Sequence, residues 1–153
     1  MPALEQPLLT ERLLLRPFLP GDDTALYDLR TNPEVLRHLY WPPATPGEAR
    51  DIVAQRLTMT TLTADGDFLV LAVVRRSDDR LIGEADLGLV SLDNRHGEIG
   101  VILHPDAQGH GYAAETATAL LDFAFDVAGL HRVTAQTNAA NEPAARAMLR
   151  LDE

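Results

Sequence analysis

The sequence contains no cysteine. That removes a disulfide framework, a thiol nucleophile and every cysteine-ligated zinc or iron–sulfur site. It contains no lysine either, and all 13 basic residues are arginine. Without lysine there is no Schiff base and no P-loop lysine to hold a phosphate. Apolar runs are only a few residues long, far short of a membrane span. Met1 to Pro7 lacks the basic region and apolar stretch of a secretory signal, so a cytoplasmic location is expected. There is no internal repeat and no low-complexity linker. Positive charge is in deficit, and the net charge is −10. That argues against nonspecific nucleic-acid binding, which needs a cationic surface, and weakly favours a cationic partner or substrate.

What is present is one domain's worth of chain. The 153 residues are 46% hydrophobic and 24% charged, close to the globular average. Leu13 to Phe18 reads as a first strand, ended by Pro20 and Gly21. Asp22 or Asp23 caps a helix over about 24–31, and Asn32-Pro33 starts another that runs to about Leu39. Thr45-Pro46-Gly47-Glu48 has the form of a capping box, opening a helix expected to end near Thr63. Phe68–Val74, Leu81–Val90 and Glu98–Leu103 read as three strands of an antiparallel meander. In the second, Glu84 and Asp86 share one face. After a loop at Pro105 to Gly111, Ala113, Ala117, Leu120, Leu121, Ala124 and Phe125 form the apolar stripe of a helix ended by Gly129. Arg132 to Thr137 is a strand, and Asn141 caps a last helix. A parallel unit thus follows an antiparallel meander, which makes a mixed α/β sheet.

The chemically informative segment is Gln108-Gly109-His110-Gly111-Tyr112-Ala113-Ala114. It follows a strand and opens a helix, where free N–H groups and the helix dipole favour an anion. The alternative is a loop whose glycines only solve a turn. The segment also fits a weak dinucleotide pattern, Gly109-x-Gly111-x-x-Ala114. That reading wants an acid at the end of the next strand, and Gln136-Thr137-Asn138 offers none. The five histidines, His38, His96, His104, His110 and His131, lack metal-ligand spacing, so no metal is expected. Tyr40 and Trp41 either line a substrate entrance or close the core.

Gln108-x-x-Gly111-x-Ala113 resembles the acetyl-CoA pyrophosphate motif of the GNAT superfamily of N-acyltransferases. Thr10-Glu11-Arg12-Leu13-Leu14-Leu15-Arg16-Pro17 is similar to the first strand of its Rim-type subgroup, the ribosomal-protein N-terminal acetyltransferases. Asn32-Pro33-Glu34-Val35, Trp41-Pro42, Glu98-Ile99-Gly100 and Asn138-x-x-Asn141-Glu142 match the same subgroup in order. The resemblance implies a single domain of GNAT fold and direct transfer of an acetyl group from acetyl-CoA to a primary amine. It implies that backbone amides of Gln108, Gly109, His110, Gly111, Tyr112, Ala113 and Ala114 hold the pyrophosphate. Val101, Ile102 and Leu103 would line the pantetheine arm, with an N–H near Val101 or Ile102 polarising the thioester carbonyl. Glu98 would be the base, with Glu84 and Asp86 next in line; a solvated strand-end Glu98 is the alternative. Asn141, and Asn138 with it, would contact CoA or fix the active-site loop. The acceptor would be a protein N-terminal amine, with small amines such as polyamines, amino acids or antibiotics as the alternative. No nucleic-acid or membrane partner is expected.

Two departures from the family pattern stand out. Ala144 and Met148 occupy positions where members often carry a Ser or Tyr hydroxyl for protonating the thiolate, leaving the general acid unassigned. The chain also stops at Leu151-Asp152-Glu153, where the family adds two more strands. That raises the expectation of an open sheet edge and a homodimer. It also keeps a nonenzymatic CoA-binding module as the second reading.

Overall fold

The computed structural model describes residues 4–39 and 42–135, with the side chains of 38 and 39 excepted. Tyr40, Trp41, Asn138, the last helix expected from Asn141, and Ala144 and Met148 lie outside the described residues. Six strands form one sheet in chain order: β1 (Leu8–Leu9), β2 (Leu13–Pro17), β3 (Phe68–Arg75), β4 (Arg80–Ser91), β5 (His96–Leu103) and β6 (Arg132–Ala135). Every neighbouring pair is antiparallel except β5 and β6, which run parallel. The meander followed by a parallel unit is therefore present as the sequence predicts. Its cause is simple. The turns between β3 and β4 and between β4 and β5 are short, which allows only antiparallel return. The segment between β5 and β6 holds a helix, which carries the chain back for a parallel entry.

Both sheet faces are covered. One packs on α4 (Tyr112–Asp122) through Leu13, Leu15, Leu71, Ala85, Leu87, Ile99 and their neighbours. The other packs on α1 (Asp23–Thr31), α2 (Pro33–Leu39) and α3 (Pro46–Arg56), through Phe18, Leu26, Val53, Val70 and Ala72. Coverage of both faces explains why β3 reads Leu-Val-Leu-Ala-Val-Val without alternation: both sets of side chains are buried. Each fully buried Leu or Val there contributes about 1.5–3 kcal/mol.

Four local features differ from the expectation. The first is α3, which begins at its capping box: Glu48 N–H bonds the Thr45 hydroxyl and the Glu48 carboxylate reaches back to Thr45 N–H. It ends at Arg56 rather than near Thr63. The β-branched Thr58, Thr60 and Thr61 disfavour continuation, and the backbone there is used elsewhere. The Met59 carbonyl accepts from Val70 N–H, and the Thr60 carbonyl from Leu4 N–H.

The second is α4, which passes into a π-helical turn at Phe123–Val127. The wider turn inserts an extra residue into the helical period. Phe123 is buried and Phe125 faces solvent, so Phe125 does not belong to the apolar stripe.

The third is β4, where a bulge between Val73 and Val74 shifts the register. Ile82 is buried there, and Glu84, expected on a face that carries polar side chains, is buried as well. The last is β1, which is absent from the sequence reading. Two residues carry no periodicity, and β1 exists because it pairs with Leu14 and Leu15. Among the described residues, no helix is long and apolar enough to cross a membrane.

Candidate active site

The loop after β5 is a chain of tight turns. Pro105–Ala107 forms one 3-10 turn, capped by the His104 ring, whose Nδ1 accepts from Asp106 N–H at 3.2 Å. The Gln108 N–H bonds the Pro105 carbonyl, and its side chain donates to the Leu103 carbonyl. The Gln108 N–H, unlike those that follow it, thus has an acceptor within the loop. From Gly109 to Ala114 the backbone N–H groups have no acceptor among the described residues. Gly109 and Gly111 sit at φ +83 and +82, where a side chain is strained. Gly111 is the N-cap of α4 and supplies no side-chain acceptor. Six free donors in a row, at the positive end of a helix dipole, are an arrangement able to take an anion without a lysine.

A residue far away in sequence supports this loop. Arg12, just before β2, donates from Nη1 to the His110 carbonyl at 2.9 Å. Its Nε pairs with Glu115 Oε1 at 2.7 Å, and its guanidinium lies 4.4 Å from the centre of the Tyr112 ring. Glu115 also accepts from Arg12 N–H and the Thr10 hydroxyl. Burial pushes the Glu115 carboxyl up, but these donors outweigh it and hold it below the usual range. Arg12 Nη2 faces Gly111, 3.4 Å from where a β-carbon would sit. No sequence signal joins Arg12 to the loop, because the two lie about 100 residues apart and meet only through the β2–α4 packing.

On the opposite sheet face, β4 and β5 gather three carboxylates. Glu84 is 6% exposed and is gripped by two guanidiniums. Arg30 from α1 reaches it at 2.9 and 3.4 Å, and Arg56 from α3 at 3.0 and 3.1 Å. Burial pushes the Glu84 carboxyl up, and the two arginines more than reverse that. Asp86, two residues on, stands opposite Gly100, with Glu98 paired to the neighbouring Gly88. A β-carbon on Gly100 would sit 3.1 Å from Asp86 Oδ2, so the glycine makes room for the carboxylate. No hydrogen bond or ion pair engages Asp86 or Glu98 among the described residues. Burial, then the charge of Glu84, pushes the Asp86 carboxyl up to about 7; Arg56 opposes this and Glu98 adds to it. A carboxylate of that kind, on a covered sheet face, is suited to take a proton near neutral pH.

The acetyltransferase (GNAT) domain model matches residues 12–152. The chain belongs to the GNAT acetyltransferases. It is 28% identical over 137 residues to the uncharacterized N-acetyltransferase p20 of Bacillus licheniformis, covering 89% of this chain and 75% of that protein. Its fold superposes on a GNAT-family acetyltransferase from Bacillus anthracis with a TM-score of 0.81, at 24% identity, over 95% of this chain and 82% of the other. It also superposes on a spermidine N-acetyltransferase from Vibrio cholerae solved with CoA and spermine. There the TM-score is 0.74 at 20% identity, over 92% of this chain and 80% of the other.

The remaining expected site residues of this GNAT domain fall as follows. Val101 and Ile102 are half-buried and Leu103 is buried at the end of β5. The described β5–β6 pairing ends at Ile99 opposite Ala135, before these three residues. Tyr112, Ala113 and Ala114 open α4, half-buried, beside the free amides. His96 pairs with Thr134, and His104 Nε2 lies 3.2 Å from Asp28, so both serve local packing. Among the described residues no group of three or more His, Asp or Glu could hold a metal ion.

Proposed function

We propose that this N-acetyltransferase takes acetyl-CoA as donor, with its pyrophosphate on the amides of Gly109 to Ala114, and a primary amine as acceptor at the Asp86–Glu98 face. The observation that carries the reading is the pairing of six free loop amides with an unpartnered, raised carboxylate across the β4–β5 pair. The fold fits the donor: the amides are open, and small residues at 109, 111 and 113 let a phosphate reach the backbone.

The acceptor arrives as an ammonium ion. Asp86 as carboxylate takes one proton, which frees the nitrogen lone pair. The nitrogen attacks the thioester carbonyl carbon, the carbon–sulfur bond breaks, and sulfur leaves with the electron pair. The second nitrogen proton ends on that sulfur, so the products are an N-acetyl amine and CoA thiol. An N–H at Val101 or Ile102 polarises the carbonyl oxygen. Glu98, which the resemblance implies as the base, shares the Asp86 face and in this reading holds the incoming ammonium, so the two carboxyl groups divide the work. Asn138 and Asn141 keep the CoA-contacting role that the resemblance implies.

Two unpartnered carboxyl groups on one face and a net charge of −10 suit a cationic acceptor. The resemblance to the Rim-type subgroup favours a protein N-terminus, and the similarity of fold to a spermidine acetyltransferase keeps polyamines as the second class. Calorimetric titration with acetyl-CoA, followed by thiol release with N-terminal peptides and a panel of polyamines, tests both. Binding with turnover on one class is expected. Binding without turnover on any amine would favour a CoA-binding module, and no binding would overturn the donor assignment.

Arg12 supplies a guanidinium beside the proposed phosphate site. Arg12→Met is expected to weaken acetyl-CoA affinity about tenfold, as the loss of a charged hydrogen bond would, while leaving kcat nearly unchanged. Unchanged affinity by titration would remove Arg12 from the binding site.

A further inference from the structure

The buried cluster of Arg30, Glu84 and Arg56 has no part in the chemistry proposed above, yet it stands two residues from Asp86 on the same face of β4. Among the described carboxylates of this face, Glu84, Asp86 and Glu98, Glu84 alone has partners for both oxygens. Its oxygens accept four guanidinium bonds, two from each of two helices. Such a cluster is poorly explained by stability alone, because a buried ion pair often contributes no more than well-packed apolar side chains of the same volume. Here an apolar trio was available in principle, since Phe18, Val53, Val70 and Ala72 already pack on the same face. Arg56 is further held by Phe18, whose ring centre lies 5.1 Å from the guanidinium. α1 and α3 pack on each other and α1 reaches β4, so the cluster ties both helices to the strand that carries Asp86.

We propose that Glu84, gripped by Arg30 and Arg56, is a positioning residue of the acceptor site: it anchors α1 and α3 over the sheet and sets the charge surrounding Asp86. The proposal rests on the reading of Asp86 as proton acceptor. The charged groups that bear on Asp86 are Glu84 on its own strand, Glu98 on β5 and Arg56 on α3, with Arg30 of α1 acting through Glu84. From β3 the residue opposite is the apolar Val70. The cluster carries two positive charges and one negative. Glu84 therefore favours the protonated form of Asp86 and Arg56 favours the ionised form, in agreement with the direction in which each acts on it.

The opposite signs make the test selective. In wild-type enzyme kcat/KM is expected to rise with pH as Asp86 ionises. Glu84→Gln removes the charge that favours protonation, so this rise should move to lower pH, on the order of one pH unit. Arg56→Met removes the opposing charge and should move it upward by a similar amount. Arg56→Lys keeps the charge and should leave its position unchanged even if the rate falls. A structural tie alone would alter melting temperature and rate but leave all three positions together, and that outcome, or movement of both in one direction, overturns the proposal. Should Glu84→Gln fail to fold, as judged by acetyl-CoA binding, the Arg56→Met and Arg56→Lys pair decides by itself. Asp86→Asn separates the two layers. If that variant retains the rise, the reading of Asp86 as the base fails; if it loses the rise while the cluster variants do not shift it, only the present inference fails.

Discussion

Asp86→Asn should lower kcat by about 100-fold to 10,000-fold, the usual contribution of a positioned general base. Acetyl-CoA affinity should stay close to wild type, because the amides proposed to bind the phosphates lie across the sheet. The pH dependence should change as well. In the wild type the base must be ionised, so activity climbs as pH rises through about 7, the value to which burial and the charge of Glu84 push this carboxyl. Asparagine cannot ionise, and the variant's profile should be flat there. Stability follows the opposite course. The Asp86 pKa is higher in the folded than in the unfolded protein, so its favourable contribution is complete below the unfolded value and is lost as pH rises through about 7. The variant should therefore be no less stable than wild type at pH 8. Initial rates across pH 5–9 and thermal melts at pH 6 and 8 provide the check. A variant that kept wild-type rates would leave Glu98 as the base.

The second large effect is expected at Gly111. Gly111→Val should weaken acetyl-CoA binding on the order of 100-fold. Two causes add. The left-handed backbone at φ +82 disfavours any β-carbon by about 1–3 kcal/mol, and a branched side chain would project over the amides and toward Arg12 Nη2. Gly111→Ala carries the strain with little bulk and should fall between. Titration of the three proteins with acetyl-CoA distinguishes these contributions, and equal affinity in all three would take Gly111 out of the phosphate site.

These residues were not equally visible in the sequence. The loop was legible because its chemistry is local: two glycines before a helix define both the backbone shape and the free donors. The capping box at Thr45 and the change from meander to parallel unit were legible for the same reason. Asp86 was visible as a carboxylate on one face of a strand, yet the grounds for proposing it as the base in place of Glu98 were not. Its proton affinity depends on Glu84, on Arg56 from α3 and on the degree of burial, none of which is sequence-adjacent information. Glu84 shows the limit most plainly. In the sequence it is one more acidic residue on a face that carries polar side chains; in the fold it is buried because arginines 54 and 28 residues away reach it. The early end of α3 was likewise decided by tertiary partners for Met59 and Thr60, and the outward turn of Phe125 by the π-helical turn.

The sequential order of the strands carries a consequence for how the molecule assembles itself. β3, β4 and β5 are joined by short turns, so closing them costs little chain entropy. The strands that carry Asp86, Glu98 and Gly100 are contained within that stretch, while the arginines that hold Glu84 beside Asp86 come from α1 and α3. The phosphate loop cannot reach its braced shape locally. It waits for Arg12 and Thr10 to cross more than a hundred residues of chain and meet Glu115. Under the proposed assignment, the strands that carry the amine face close through local turns, whereas the brace of the donor loop depends on contacts made across a hundred residues of chain.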